Sequence, residues 1–150
     1  MRRFLIPFTY LIAIIFWSSC KNDFNFEISS GNLSFSKDTV YLDTIFSNIG
    51  SSTYNLKVYN NSDENIIIPN INLGEGESSY YRLNVDGIYG SGSSAGKYFE
   101  NIELLANDSL YIFIETTVDI GNLSTQSSQF LYTDYIQFNN GEDLQKVQLV

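Results

Sequence analysis

From residue 33 onward, apolar and polar positions alternate in short runs that are separated by Asn, Asp, Ser and Gly. Alternation with a period of two is the pattern of a β-strand with one buried face, whereas an amphipathic helix repeats about every 3.6 residues. No stretch after residue 20 has a convincing helical period. The predicted strands lie within residues 33–46, 54–59, 66–73, 81–85, 102–104, 110–118, 135–138 and 147–150.

Local signals qualify some of these strands. The run from Leu110 to Val118 is the strongest, because nearly all of its residues are β-branched or aromatic. Pro69 falls inside another run, and proline in a sheet is tolerated mainly at edges or bulges. Residues 60–65 predict a turn, since Asn and Asp accept positive φ and hydrogen-bond their own backbone. Residues 88–97, rich in Gly and Ser, predict a flexible loop that packs against nothing.

The spacing of the strands predicts the fold class. Seven or eight short strands separated by turn signals indicate an all-β domain, an Ig-like antiparallel β-sandwich over residues 33–150. Residues 139–143 lie between two alternating runs and predict a hairpin. The alternation continues to Val150, which is compatible with a completed edge strand and equally with a domain that is truncated at its C-terminus.

Residues 1–19 have the organisation of an export signal. Arg2 and Arg3 form a basic start, and an uncharged apolar run follows from Phe4 to Trp17. At 1.5 Å per residue this run spans about 21 Å, which is short of the ~30 Å hydrocarbon layer of a membrane. The segment is therefore predicted to be a signal peptide rather than a permanent membrane span.

The residues around Cys20 resemble the bacterial lipobox, in which the cysteine becomes the lipidated first residue of the mature chain. Ser18 and Ser19 precede Cys20, and Trp17 stands where that motif usually has Leu. The resemblance implies acyl chains such as palmitate on Cys20, which would anchor the protein to a bilayer. The alternative is that Cys20 is incidental to a signal peptide cut elsewhere or to a short membrane anchor. Residues 20–32 would form the lipidated cysteine and a polar tether.

The same resemblance implies a location. Lys21-Asn22-Asp23 is similar to the signal that sends some Gram-negative lipoproteins to the outer cell surface. The expected location is the cell envelope of a Gram-negative bacterium, lipid-anchored in the outer membrane. Surface exposure is a further expectation, with a periplasmic orientation left open.

Composition excludes several kinds of chemistry. The formal net charge is −9, and loss of residues 1–19 would remove Arg2 and Arg3 and leave the remainder more acidic still. Such a surface repels phosphate backbones, so we expect no nucleic-acid partner. The chain has no His, which excludes Ser-His-Asp and Cys-His catalysis and any His-ligated zinc or haem. One Cys cannot form an intramolecular disulfide.

The run from Thr44 to Asn61 resembles the Ig-like modules of the abnormal-spindle/Hydin and choice-of-anchor families. Gly50 and Asn60 stand at the two positions that punctuate the pattern, and residues 66–73 and 81–85 are similar to the strands that follow. With the lipobox, the chain looks like the front portion of surface lipoproteins in which a parallel β-helix follows this module. The resemblance brings no catalytic residue, so it implies a non-enzymatic spacer or docking module, or the N-terminal fragment of a longer protein.

Acidic residues are the main candidates for chemistry. Asp38 and Asp43 are five positions apart on an extended chain, so they point to opposite faces and cannot act as an acid–base pair. Glu75 and Glu77 are near enough to share a Ca²⁺ ion, although Ca²⁺ prefers six to eight oxygen ligands and a solvated acidic loop is the simpler interpretation. Glu115 is either a buried acid or, as its alternation with Tyr and Phe favours, an outward-facing strand residue.

Aromatic and hydroxyl side chains suggest two further sites. Tyr80 and Tyr81 lie beside a loop, where an aromatic pair can stack on a glycan, but aromatics are also ordinary core residues of a sandwich. Thr39, Thr44 and Ser109 each stand between an Asp and an aliphatic residue. That pattern resembles the O-glycosylation site of some exported Gram-negative proteins, and it is also how a turn enters a strand.

Taken together, these patterns predict a membrane-anchored lipoprotein that is not an enzyme, with no catalytic residue, no cofactor and no metal. Its expected partner is the membrane, through the lipid anchor, while a protein or glycan partner is not identified by the sequence. A glycan- or calcium-binding accessory protein is the alternative.

Overall fold

The computed structural model describes residues 25–29, 33–46, 48–90, 92–118, 131–139 and 143–150 of the 150-residue chain. They form an all-β sandwich of two sheets, as predicted. Within these residues no helix is long and apolar enough to cross a membrane. The strands are β1 Glu27–Ile28, β2 Ser34–Phe35, β3 Thr39–Val40, β4 Tyr54–Tyr59, β5 Ile66–Leu73, β6 Tyr81–Val85, β7 Tyr98–Leu104, β8 Ser109–Thr116, β9 Asp134–Asn139 and β10 Leu144–Leu149. Two short 3-10 turns cover Gly76–Ser78 and Gly92–Ser94.

Among the described residues the first sheet has six strands, and β5 pairs with three of them. β7 pairs with β5 along one side, while β1 and β9 pair with successive parts of β5 along the other. β10 and then β3 continue the sheet beyond β9. The second sheet has four strands in the order β2-β4-β8-β6.

The longer strands β4 to β10 pair antiparallel, as the sequence predicts, but two short strands do not. β1, which lies within the segment expected to be a tether, pairs parallel with the start of β5. β3 pairs parallel with β10, and the contact extends to Leu42, whose N–H donates to the carbonyl of Val150 at 2.7 Å. β10 therefore lies between two strands, whereas an edge strand was one of the two expectations for this segment.

The core lies between the sheets and is built from alternate residues of every long strand. Period-two alternation puts these apolar side chains on the inner face of each sheet, so that they leave water together. The largest fully buried side chains include Leu56, Ile68, Ile71, Leu73, Leu83, Ile112, Ile114, Ile136, Phe138 and Leu149.

Pro69 interrupts the alternation of β5 without placing it at an edge. The residues on either side of Pro69 face Ile102 and Glu100 of β7, so Pro69 lies opposite Asn101, which has a φ of 52°. In both strands the alternation of buried and more exposed positions slips by one residue at this point and then continues. The proline thus marks a local irregularity inside the sheet, one of the two predicted contexts.

Two predictions need correction. The run Val40–Phe46 is not a strand beyond Val40, and Tyr41 and Phe46 are 71% and 73% exposed. The loop 88–97 does not lack packing: in its described part, Ile88 and Gly96 accept hydrogen bonds from the N–H groups of Val85 and Leu83. This loop satisfies donors along the edge of β6, which would otherwise be open to another chain.

Candidate binding face

The outer face of the four-stranded sheet collects side chains from three neighbouring strands. Asn55 and Lys57 of β4 lie opposite Phe113 and Tyr111 of β8, respectively. On the other side of β8, Asn84 of β6 lies opposite Phe113. Alternate residues of a strand point to the same side, and the intervening residues of β8 are buried. These five side chains therefore face solvent together.

Aromatic rings form a strip along this face. Tyr111 and Phe113 are 43% and 40% exposed, and they stack with centroids 6.1 Å apart and planes 16° from parallel. Tyr59, half-buried on β4, lies on the same side of the sheet. We call Tyr59, Tyr111 and Phe113 the aromatic strip. Contiguous exposed apolar groups rimmed by polar residues are typical of binding surfaces.

A lysine lies between two rings of the strip. The Nζ atom of Lys57 is 5.2 Å from the ring centroid of Tyr59 and 5.2 Å from that of Tyr111. A cation within about 6 Å of a ring centroid is attracted by the electrons of the ring face. The strip therefore carries a positive charge at its centre and holds the lysine side chain in place.

Arg82 and Glu115 lie at one end of the face. Arg82 donates from Nη2 to Oγ1 of Thr117 at 2.9 Å, and the same nitrogen is 4.0 Å from Oε2 of Glu115. Oε1 of Glu115 accepts a hydrogen bond from the hydroxyl of Thr53 at 2.6 Å. The Glu115 side chain is 41% exposed, so the predicted outward orientation is confirmed. A partly exposed pair of this kind contributes little to stability.

For Tyr80 and Tyr81, the structure favours the interpretation as core residues over the interpretation as a glycan-stacking pair. Tyr81 is only 2% exposed, and its hydroxyl donates to the carbonyl of Tyr132 at 3.0 Å. The Tyr80 ring meets the ring of Tyr132 edge-on at 4.9 Å. Tyr81 is an inward-facing position of β6 and its ring stacks on that of Tyr132 at 5.3 Å, so Tyr81 belongs to the core.

The environment of these tyrosines disfavours their ionisation. Burial, reinforced by the nearby carboxylate of Asp134, raises the pKa of Tyr81 to about 12. Burial also raises the pKa of Tyr132, whose hydroxyl donates to Oε2 of Glu75 at 2.6 Å. Both hydroxyls therefore remain protonated at neutral pH and act as hydrogen-bond donors.

Asp134 is a buried carboxylate that the sequence analysis did not single out. It is 4% exposed, and Oδ1 accepts the backbone N–H groups of Glu75 at 3.2 Å and Tyr135 at 2.8 Å. Within the part of the chain that the structure describes, Oδ2 has no hydrogen-bond partner. Nearby, Lys97 donates from Nζ to the carbonyls of Ser79 and Tyr81. No sequence signal marks either residue, because each depends on chain segments that meet only in the fold.

The pKa of Lys97, which lies near Asp134, is also shifted. Burial lowers the pKa of Lys97, the neighbouring Arg82 lowers it further, and the carboxylate of Asp134 acts in the opposite direction. Its hydrogen bonds to backbone carbonyls tie β6 to the loop that follows it. These contacts hold the end of the sandwich together.

The acidic loop does not assemble a calcium site. Glu75 is engaged by Tyr132, and Oε1 of Glu77 accepts from the hydroxyl of Ser93 at 3.3 Å. Among the residues that the structure describes, no group of three or more His, Cys, Asp or Glu side chains is placed to hold a metal ion. The calcium-binding alternative therefore gains no support from the described part of the chain.

The proposed modification sites differ in accessibility. Thr44 is exposed, and Oδ1 of Asp43 accepts its backbone N–H at 2.8 Å. Ser109 is half-buried at the start of β8, and Asp108 makes the equivalent contact at 2.7 Å. Thr39 is half-buried in β3, where it lies opposite a residue of β10.

The remaining candidates from the sequence are the pair Asp38 and Asp43, and Cys20. Asp38 and Asp43 are both exposed. Asp43 accepts the backbone N–H of Thr44, and the structure does not bring the two carboxylates together. Cys20, together with the predicted signal peptide, lies outside the described residues.

No protein-family model matches the chain, and no curated protein matches it. Among solved structures, the chain is similar to the ASH/PapD-like domain of human CEP192 (PapD-like domain 7), with 12% sequence identity and a TM-score of 0.42. The match covers 89% of this chain and 92% of that one. The two sheets and their antiparallel long strands define the class as an all-β, Ig-like sandwich.

Proposed function

We propose that this chain is a lipid-anchored, non-catalytic module of a Gram-negative cell envelope that acts as a docking platform. The observation that carries the proposal is the aromatic strip, which a well-packed sheet presents to solvent. Covering exposed aromatic side chains removes apolar surface from water and so favours binding. The strip is therefore the natural contact surface of the module.

The anchor is proposed from the sequence at the N-terminus. Cys20 directly follows Ser18 and Ser19 and precedes a polar segment, as lipidation of an exported protein requires. Acyl chains contribute about 0.8 kcal/mol per buried CH₂ group, so several chains hold a protein on a membrane durably. The short polar segment after Cys20 would connect the lipid to β1.

The non-catalytic part of the proposal is supported by the roles of the acidic groups. Asp134 and Glu75 bind backbone N–H groups or a tyrosine hydroxyl, and Glu115 bonds to Thr53 and lies near Arg82. Each accepts a hydrogen bond from another group of the sandwich. A binding function through the strip uses none of these contacts.

Binding to envelope material tests the docking role. Full-length protein is solubilised in non-ionic detergent and mixed with detergent-washed cell-envelope material from the producing cells. We expect wild-type protein to sediment with the envelope and the Tyr111→Ala/Phe113→Ala variant to lose most of this binding. Tyr98→Ala is the matched control, because Tyr98 is 41% exposed on the opposite sheet. Equal sedimentation of all three proteins would refute docking through the strip.

O-glycosylation is proposed at Thr44, the most accessible of the three candidate hydroxyls. Its exposed position between Asp43 and an aliphatic residue leaves room for a sugar. The expected result is that Thr44→Val removes a sugar-sized step from the intact mass of protein from its native cells. An unchanged mass, with no such step in either protein, would refute modification at this residue.

A further inference from the structure

We infer that the outer face of the four-stranded sheet binds an acidic polysaccharide, a chain of sugars that carry carboxylate groups. This inference rests on the docking role proposed above and names the ligand of the same surface. Three properties of the face support this ligand: its ring geometry, its polar flanks and its charge.

The ring geometry suits sugar rings. Tyr111 and Phe113 stack with centroids 6.1 Å apart and planes 16° from parallel, and both are about 40% exposed, so together they present a continuous apolar ridge to solvent. The C–H face of a pyranose ring can lie against such a surface and bury apolar area. Because the rings stand on one strand of a packed sheet, little side-chain freedom is lost on binding.

Amide side chains flank the rings where sugar hydroxyls would lie. Asn55 and Asn84 lie in register on either side of Phe113. An amide offers two N–H donors and a carbonyl acceptor, which complement a hydroxyl group. Oδ1 of Asn84 already accepts the N–H of Gly87 at 2.9 Å, so Asn84 contributes its two donors. A glycan chain can use both the exposed rings and the amides that flank them.

The charge of the face differs from that of the whole chain, whose formal net charge is −9. Lys57 lies between two rings of the strip, and Arg82 lies at its end. Lys37 borders the same sheet, with Nζ 3.4 Å from the carbonyl oxygen of Asn55. Glu115 offsets part of this charge, since it is 4.0 Å from Arg82. Within an acidic molecule, this face therefore carries more positive than negative charge among the residues named here, and it can attract an anion.

A carboxylated sugar chain combines both chemistries. Each ring presents an apolar C–H face, and its carboxylate projects from the ring edge. With sugar rings over Tyr111 and Phe113, carboxylates at the ring edges come within reach of Lys57. The chain can thus satisfy the rings, the amides and the cation at the same time.

The test compares polygalacturonate with its fully methyl-esterified form, a matched neutral chain. We expect full-length protein in detergent to bind polygalacturonate at least tenfold more tightly than the ester, with affinity falling as salt is raised. Lys57→Gln should weaken binding to polygalacturonate about threefold and leave the ester unaffected. Tyr111→Ala should weaken binding to both chains about tenfold.

Lys146→Gln is the matched control. Lys146 lies 4.1 Å from the ring centroid of Tyr135 on the other sheet, so it repeats the lysine–tyrosine contact away from the proposed site. We expect it to bind polygalacturonate like wild-type protein. All these side chains lie on outer faces of the sheets, and their thermal unfolding curves check that the variants are folded.

Other results would overturn the inference. Equal affinity for the acid and the ester would show that the carboxylate charge does not contribute to binding. Binding of polyglutamate but of neither polysaccharide would assign the face to an acidic protein segment. If envelope binding depends on Tyr111 and Phe113 while polygalacturonate does not bind, the docking role stands and the acidic-polysaccharide inference fails.

Discussion

At Gly74 the backbone passes very close to two side chains. A Cβ atom on Gly74 would lie 2.5 Å from Cζ of Tyr135 and 2.7 Å from Oδ1 of Asp134. Asp134 has little freedom to move, because Oδ1 accepts two backbone N–H groups and the residue is 4% exposed. Glycine at this position is therefore required by the space available.

We predict that Gly74→Ala destabilises the fold by about 1–3 kcal/mol, as is typical of overpacking. The measurement is the free energy of unfolding from urea denaturation. Gly50→Ala is the control, since a Cβ there meets only Oγ1 of Thr117 at an ordinary 3.7 Å, and we expect a change within about 0.5 kcal/mol. Equal effects of the two substitutions would contradict the close approach at Gly74.

Tyr81 gives the fold a predicted alkaline sensitivity. The unfolded side chain ionises near its ordinary pKa of 10.0, whereas the folded one has a pKa of about 12. Between these values the unfolded state has released a proton that the folded state retains, so the free energy of unfolding falls as pH rises. Tyr132 acts in the same direction because its pKa is also raised.

Lys97 has the opposite sign, because its pKa is lowered, but its contribution ends at the ordinary lysine value of 10.5. The expected result is a steady loss of stability from pH 10.5 to 12, with a shallower slope in Tyr81→Phe. Urea denaturation at several pH values in this window measures it. An unchanged slope in Tyr81→Phe would show that the buried hydroxyl is not responsible.

At the scale of elements, β8 alternates residues of the core with residues of the binding face. Ile112 is fully buried, whereas its neighbour Phe113 is 40% exposed. We expect Ile112→Ala to cost about 2–5 kcal/mol, because it removes buried methyl groups and leaves a cavity. Phe113→Ala should cost much less while it impairs docking. Comparable losses of stability would mean that Phe113 is part of the core.

The sequence predicts these elements well where alternation is strong. The pattern from Leu110 to Val118 identifies β8 to within two residues, and the turn at 60–65 is confirmed, with Asn60 donating to the carbonyls of Glu64 and Leu105. It fails between Val40 and Phe46, where the strand ends at Val40 and the pairing with β10 goes no further than the hydrogen bond from Leu42 to Val150. It also misses the packing of the loop 88–97, which depends on the edge of β6.

At the scale of the whole molecule, the sequence predicts only part of the binding face. Alternation places Lys57 with Tyr59, and Tyr111 with Phe113, each pair on the outer side of its own strand. Nothing in either run specifies that β4 and β8 pair, so the strip emerges only from the sheet order. Tyr80 and Tyr81 are adjacent in the chain, yet Tyr81 turns into the core.

The central claim is that this sandwich is held at a membrane by a lipid on Cys20 while its aromatic strip remains available to a ligand. The most direct test is the intact mass of the protein extracted with detergent from its native membranes. We predict a mature N-terminus at Cys20 that carries the added mass of acyl chains, with a sugar-sized step if Thr44 is modified. A lipid-free product that begins at another residue would contradict the anchor and the cell-envelope role built on it.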